Sequence, residues 1–157
     1  MPENNEYQLV PEYRILLVED NPLDVALTRE AMTEVALDAI LDVAEDGEIA
    51  LSRLFRRGEN KNAKLPDLIL LDLNLPKING GEVLAQVKYH PDLRRIPVIV
   101  LTTSKSIDDI IMMYGLHANC YIAKPIDFED FVNVMEQIKG FWLNRVILPT
   151  KKFSGDG

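Results

Sequence analysis

Cysteine is nearly absent: Cys120 is the only one among 157 residues. A single thiol excludes an internal disulfide and suits a reducing compartment. No hydrophobic run approaches the ~18 apolar residues that a membrane span requires. The opening stretch, MPENNEYQLVPEYR, has neither a basic n-region nor an apolar h-region, so no secretory signal is expected. These absences predict a cytoplasmic protein with no membrane partner. Basic charge is also short, with 17 Lys and Arg against 25 Asp and Glu and a net charge of -8. Phosphate backbones repel such a surface, and the cluster Arg53, Arg56, Arg57 is brief and falls at an expected helix end, so nucleic acid is excluded as a partner. His90 and His117 are the only histidines, and neither has a partner at metal-ligand spacing.

What is present is a regular alternation. Five segments read as strands: RILLV (14–18), AILDVA (39–44), LILL (68–71) with Asp72 behind it, VIVLT (98–102) and CYIA (120–123). The first, third and fourth are almost continuously aliphatic, as strands covered on both faces are. Helical stretches follow each one. Asn21-Pro22 opens the first as N-cap and N1, Asp46-Gly47 opens the second, and Gly80-Gly81 precede the third. Ser104 to Ser106 precede a fourth, IDDIIMMYGL, and Asp127 caps the last, FEDFVNVMEQIKGFWL. The polar stretch 58–66 reads as a loop.

Strand and helix alternating five times predict an α/β fold, a flavodoxin-like (βα)5 doubly wound parallel sheet with strand order 2-1-3-4-5. The expected division is an N-terminal extension at 1–12, one domain at 13–144 and a C-terminal extension at 145–157. That last segment is too short for an output domain.

In such a sheet the site lies at the carboxyl ends of the strands. The first strand ends in Glu19-Asp20, the third in Asp72, the fourth in Thr102 and the fifth in Ala123-Lys124-Pro125. Two carboxylates ~4 Å apart repel by about 1 kcal/mol in water and about 4 kcal/mol at an effective dielectric near 20. Three cannot gather bare; pKa values rise or a cation enters. Hard oxygens without His or Cys suit Mg²⁺, which keeps water and phosphate ligands as well. A metal, an ammonium and a hydroxyl around a carboxylate point to phosphoryl transfer onto that carboxylate. Each residue also has a plainer reading: a solvated turn acid, a helix-start acid, a surface lysine, a strand-end hydroxyl. The ensemble in order favours the site.

LVEDN (17–21), LLDLNLPKINGGEVL (70–84), PVIVLTTS (97–104) and YIAKP (121–125) together resemble the receiver domains of two-component response regulators. The resemblance covers about residues 13–143. It implies that Asp72 is the phosphoacceptor, with Lys124 on the phosphoryl oxygens and Thr102 swinging its hydroxyl toward them while Tyr121 turns inward. It implies a metal site of Glu19, Asp20, Asp72 and the carbonyl of Asn74, holding Mg²⁺ (or Mn²⁺), with Glu19 acting mainly through water. It implies a cis bond before Pro125. Thr103 stands where many receivers have Ala or Gly, which narrows the donor's access, and Asn74 and Ser104 occupy positions that tune phosphoryl loss. FWLNRVILP (141–149), PDLRRIPV (91–98) and LHANCY (116–121) are similar to the small receiver-only regulators partnered with cyanobacterial phytochromes.

The function implied is a stand-alone response regulator, not a conventional enzyme, that catalyses only its own phosphorylation and slow autodephosphorylation. Its upstream partner would be a sensor histidine kinase or phosphotransfer domain, with a phytochrome-type sensor as one candidate. Apolar residues crowd more than one face of the last two helices, so a homodimer through helices four and five and the C-terminal extension is expected. Two other readings stay open. A haloacid-dehalogenase-type phosphatase would place its nucleophile on the first strand with an acid two residues on, whereas Asn74 follows Asp72. A pseudo-receiver would keep the fold without phosphorylation.

Overall fold

A computed structural model describes residues 13–149; residues 1–12 and 150–157 lie outside the described residues. Five parallel strands, β1 (Tyr13–Val18), β2 (Ala39–Ala44), β3 (Leu68–Leu71), β4 (Val98–Thr102) and β5 (Cys120–Ala123), form one sheet in the order β2-β1-β3-β4-β5. The helices are α1 (Pro22–Glu34), α2 (Gly47–Leu54), α3 (Gly80–Tyr89), α4 (Ile107–Gly115) and α5 (Phe128–Gln137). The flavodoxin-like doubly wound arrangement expected from the alternation is the one found.

The strand periodicity of two explains why the aliphatic runs are nearly unbroken. Leu16, Val18, Ile69, Leu71, Val98 and Val100 face one layer, against Leu51 and Leu54 of α2, Val83, Leu84 and Val87 of α3, and Met113 of α4. Ile15, Leu17, Leu68, Leu70, Ile99 and Leu101 face the other, against Ala31 and Met32 of α1 and Phe131 and Met135 of α5. Neither side of the three central strands can carry a polar residue without burying it, so polar chemistry is displaced to the strand tips.

The caps agree with the sequence at four helices. Asn21 accepts from Leu23 N, Asp46 from Ile49 N, Ser106 from Asp109 N and Asp127 from Asp130 N, each side chain satisfying a free amide of the first turn. Two expectations shift. Gly80 and Gly81 lie inside α3 rather than before it, because Asn79 is the cap, accepting from Glu82 N at 2.9 Å and donating to the Glu82 carboxylate at 3.0 Å. The long last helix is α-helical only to Gln137, and Ile138–Leu143 continues as a π-helix. There Asn144 N reaches Lys139 O at 3.1 Å and Val146 N reaches Phe141 O at 2.8 Å, five residues back. The polar loop includes a single 3-10 turn at Gly58–Asn60.

The opposite edge of the sheet has its own tie. Lys88 Nζ donates to the carbonyls of Arg94 and Ile96 and to Asn119 Oδ1, at 3.0, 2.9 and 3.0 Å. The Asn119 oxygen also accepts Val98 N–H at 2.8 Å, so one lysine fastens the end of α3 to the starts of β4 and β5. Burial lowers the Lys88 pKa. Among the described residues no helix is long and apolar enough to cross a membrane.

Candidate active site

Three residues at the site are each placed by a ladder hydrogen bond that runs one step past a strand. Glu19 N–H donates to Ala44 O at 3.0 Å, Asp72 N–H to Val18 O at 3.1 Å and Lys124 N–H to Thr102 O at 2.7 Å. The backbone is therefore fixed where the polar side chains begin, and the side chains leave the end of the sheet from rigid positions. Gly80 brings the start of α3 against the same edge. A Cβ at this position would lie 2.3 Å from Asp72 O and 2.7 Å from Leu73 Cα, so only glycine permits the approach.

Glu19, Asp20 and Asp72 come together, with one carboxylate oxygen from each within 4.8 Å of the others. Glu19 and Asp72 are buried and Asp20 is exposed, so the cluster opens to solvent on one side. Lys124, also buried, enters from β5 across β4 and β3. Its Nζ donates to Glu19 Oε1 at 2.6 Å, Asp24 Oδ2 at 2.8 Å and Asp72 Oδ2 at 3.2 Å. The remaining oxygens also have donors: Asn21 N–H reaches Glu19 Oε2 at 3.1 Å and Asn74 N–H reaches Asp72 Oδ1 at 3.3 Å.

The electrostatics follow from this crowding. Burial pushes the Glu19 carboxyl up to about 7, and the Asp72 charge adds to the rise while the Lys124 and Asn21 hydrogen bonds oppose it. For Lys124, burial acts to lower the pKa, but hydrogen bonds to Asp24 and Glu19 and the charge of Asp72 outweigh it, and the net direction is upward. One ammonium thus faces four carboxylates, counting Asp20 at the rim. A second cation would relieve that imbalance. The donor set is all carboxylate oxygen with no His or Cys, which fits a small hard divalent ion.

Thr102 and Tyr121 reach the same edge by a different route. Leu71 pairs with Val100, so Thr102 lies one residue further along β4 than Asp72 does along β3. The Thr102 side chain is fully buried, and its Oγ1 accepts a long 3.5 Å bond from Ser104 N–H. Tyr121 packs on the α2–α3 side of the core and donates its hydroxyl to Ser104 O at 2.8 Å. Both are tied to the loop after β4, not to the acids. Thr103 is exposed. Asn74 is exposed as well, with its amide turned to Asp72.

One expectation fails. No described peptide bond is cis, so Lys124–Pro125 is trans. The trans form is the lower in energy by about 0.5–1 kcal/mol, and the β4–β5 ladder continues past Ala123 through the Lys124 N–H to Thr102 O hydrogen bond. Asp24 was not foreseen. It is the third residue after the Asn21 cap, where an acid is normally explained by the helix dipole, and only the fold shows Lys124 beside it.

A doubly wound sheet with an acidic pocket and a lysine at its carboxyl edge, and no glycine-rich phosphate loop, defines a phosphoacceptor module. The chain belongs to the response regulator receiver domain family, whose profile matches residues 15–136. It is 48% identical over 139 residues to the response regulator Rcp1 of Synechocystis sp., covering 88% of this chain and 95% of that one. The crystal structure of the Mn²⁺-bound form of Rcp1 superposes with a TM-score of 0.82 at 47% identity, over 88% of this chain and 99% of the other. The phosphorylated cyanobacterial phytochrome response regulator RcpA matches with a TM-score of 0.85 at 45% identity, over 89% and 100%. A probable methanogenesis regulatory protein of Methanothrix harundinacea, FilR2, is 45% identical over 129 residues, 82% of this chain and 83% of its own.

Proposed function

We propose that this protein is a stand-alone response regulator that accepts a phosphoryl group on Asp72 and signals through protein contacts. The observation that carries the reading is Lys124 Nζ held between Glu19 and Asp72 inside a buried acid cluster. An Asp72 carboxylate oxygen attacks phosphorus, forming an O–P bond as the donor's P–N bond (phosphohistidine) or P–O bond (acyl phosphate) breaks. The electron pair leaves with imidazole or carboxylate, and imidazole takes a proton from its surroundings. Glu19, Asp20, Asp72 and the Asn74 carbonyl would hold one Mg²⁺ or Mn²⁺, whose chemistry is to neutralise charge on the phosphoryl oxygens. Lys124 supplies the second positive group. The Asn74 amide orients the acceptor carboxylate.

Thr102 would then turn its hydroxyl to the phosphoryl group, and Tyr121 would follow inward, loosening the loop at Ser104. Slow hydrolysis of the acyl phosphate would reset the switch. The upstream partner is a sensor histidine kinase or phosphotransfer domain; likeness to RcpA favours a phytochrome-type sensor, and likeness to FilR2 leaves room for another stimulus. Residues 13–144 form the receiver, flanked by extensions at 1–12 and 145–157. A homodimer through α4, α5 and the C-terminal extension is supported by side chains that the monomer leaves uncovered: Ile107, Ile111 and Met112 on α4, and Phe141 and Ile147 beyond α5, are all more than half exposed.

The test is incubation with Mg²⁺ and acetyl phosphate followed by intact-protein mass spectrometry. One phosphoryl group is expected on the native chain and none on Asp72→Asn. Equal labelling of that variant would overturn the assignment.

A further inference from the structure

Lys124 has three N–H donors and the structure uses all of them. Two go to acids with a second duty. Glu19 and Asp72 belong to the three-acid cluster, and Asp72 is also the acceptor in the reading above. The third goes to Asp24, which lies outside that cluster, in the first turn of α1. Among the described residues its carboxylate has Lys124 as its one hydrogen-bond and ion-pair partner, while its backbone carbonyl is held by the Thr28 hydroxyl at 2.8 Å. Asp24 is therefore the partner that Lys124 can keep while its other two donors change hands.

We propose that Asp24 is a positioning residue for phosphoryl transfer: it anchors Lys124 Nζ at the mouth of the acid cluster so that the donors released by Glu19 and Asp72 point at the arriving phosphoryl oxygens. This rests on the phosphoacceptor reading of Asp72. A lysine side chain is a flexible four-carbon stem carrying a point charge, and without a fixed partner its ammonium has no defined direction. Glu19 cannot serve alone, because a cation bound to the cluster competes for it. Asp24 sits on the helix whose start is fixed by Asn21 and Pro22, so its carboxylate is held by rigid backbone. The side chain is one-fifth exposed and lies 2.8 Å from the buried ammonium. Misplacing a reacting group by an ångström can cost about a hundredfold in rate, so loss of the anchor has a measurable consequence.

The experiment compares the native chain with Asp24→Ala, Asp24→Asn and Asp24→Glu, using acetyl phosphate as donor and calorimetry for Mg²⁺ affinity. At saturating Mg²⁺, Asp24→Ala is expected to phosphorylate about tenfold or more slowly, since the anchored geometry is lost. Its Mg²⁺ dissociation constant should stay within about twofold, because Asp24 is not among the clustered acids. Asp24→Asn, which keeps an acceptor without the charge, should fall between, and Asp24→Glu should recover most of the rate. A melting curve on each variant separates slow chemistry from poor folding, and Asp24→Asn remains informative if the alanine variant unfolds. An unchanged or faster rate in both Asp24→Ala and Asp24→Asn overturns the proposal. So does a Mg²⁺ affinity that falls as far as the rate, which would make Asp24 part of the metal site. If the native chain takes no phosphoryl group, the phosphoacceptor reading itself has failed.

Discussion

Lys124 Nζ lies closer to Glu19, at 2.6 Å, than to Asp72, at 3.2 Å, although β1 and β5 are separated in the sheet by β3 and β4. The lysine thus acts first as the internal counter-ion of the cluster. Removing it leaves buried carboxylates without compensation, the case in which breaking an ion pair costs about 3–5 kcal/mol. For Lys124→Met we expect a loss of about 3 kcal/mol in metal-free urea unfolding, at the lower end because Glu19 can protonate and Asp24 is part-exposed. Saturating Mg²⁺ should recover a large part of it, since a divalent ion supplies the missing charge. A loss that is equal with and without Mg²⁺ would contradict a shared role for lysine and metal.

Glu19 gives the metal-free protein a defined pH dependence. Its pKa is about 7 in the folded chain against 4.5 unfolded, and burial is the main cause. Between those values the folded state holds a proton that the unfolded state has released. Stability from this group is therefore complete below pH 4.5 and declines as pH rises through about 7, by about 3 kcal/mol in all. Metal takes the carboxylate form, so Mg²⁺ binding at pH 6 should expel close to one proton, and at pH 8.5 almost none. Calorimetric titrations in two buffers of different ionisation enthalpy measure this directly. No proton release at pH 6 would show that Glu19 is already ionised there.

Most of the site was legible in the sequence because the fold converts a local pattern into a spatial one. Asp72, Glu19 and Lys124 each follow a strand directly and Asp20 is one residue further on, and in a parallel sheet such positions land on one edge. Once the strands were recognised from their aliphatic runs, the convergence needed no further information. Asp24 was hidden because its helix position has an ordinary explanation, and nothing in a one-dimensional reading says that a lysine a hundred residues away will arrive beside it. The π-helical end of the last helix was hidden for a related reason: hydrophobic spacing at 3.6 residues cannot report where the hydrogen bonds slip from four residues to five. Asn79, not the glycine pair, opens α3, because the glycines are required for close approach and not for a turn.

That close approach can be tested at Gly80. A methyl group 2.3 Å from the Asp72 carbonyl and 2.7 Å from Leu73 Cα meets backbone on both sides, with no flexible side chain to yield. Overpacking of this kind costs about 1–3 kcal/mol, and here the displaced atoms are the backbone that carries Asp72. Gly80→Ala should lower stability by about 2 kcal/mol in denaturant unfolding and also slow labelling by acetyl phosphate. Gly140→Ala, where an added Cβ meets nothing within 4 Å, is the matched control and should leave both unchanged. Equal behaviour of the two variants would mean that α3 can recoil without disturbing Asp72.

The uncovered apolar face gives the last expectation. Ile107 is 73% and Ile111 65% exposed, one turn apart on α4, with Met112 beside them. Neither isoleucine supports the monomer's core, so a charged substitution at these positions should change monomer stability by no more than about 0.5 kcal/mol. In a symmetric dimer each copy meets the same patch on the other, and every substitution is therefore felt twice. Two aspartates per chain would bring four buried charges together at that contact, which the interface cannot hold. Ile107→Asp/Ile111→Asp is expected to sediment as a monomer in analytical ultracentrifugation at concentrations where the native chain is a dimer, while still accepting a phosphoryl group on Asp72. A native chain that is monomeric at micromolar concentration, with and without a beryllofluoride phosphoryl mimic, would remove the self-association and leave the face for a different protein.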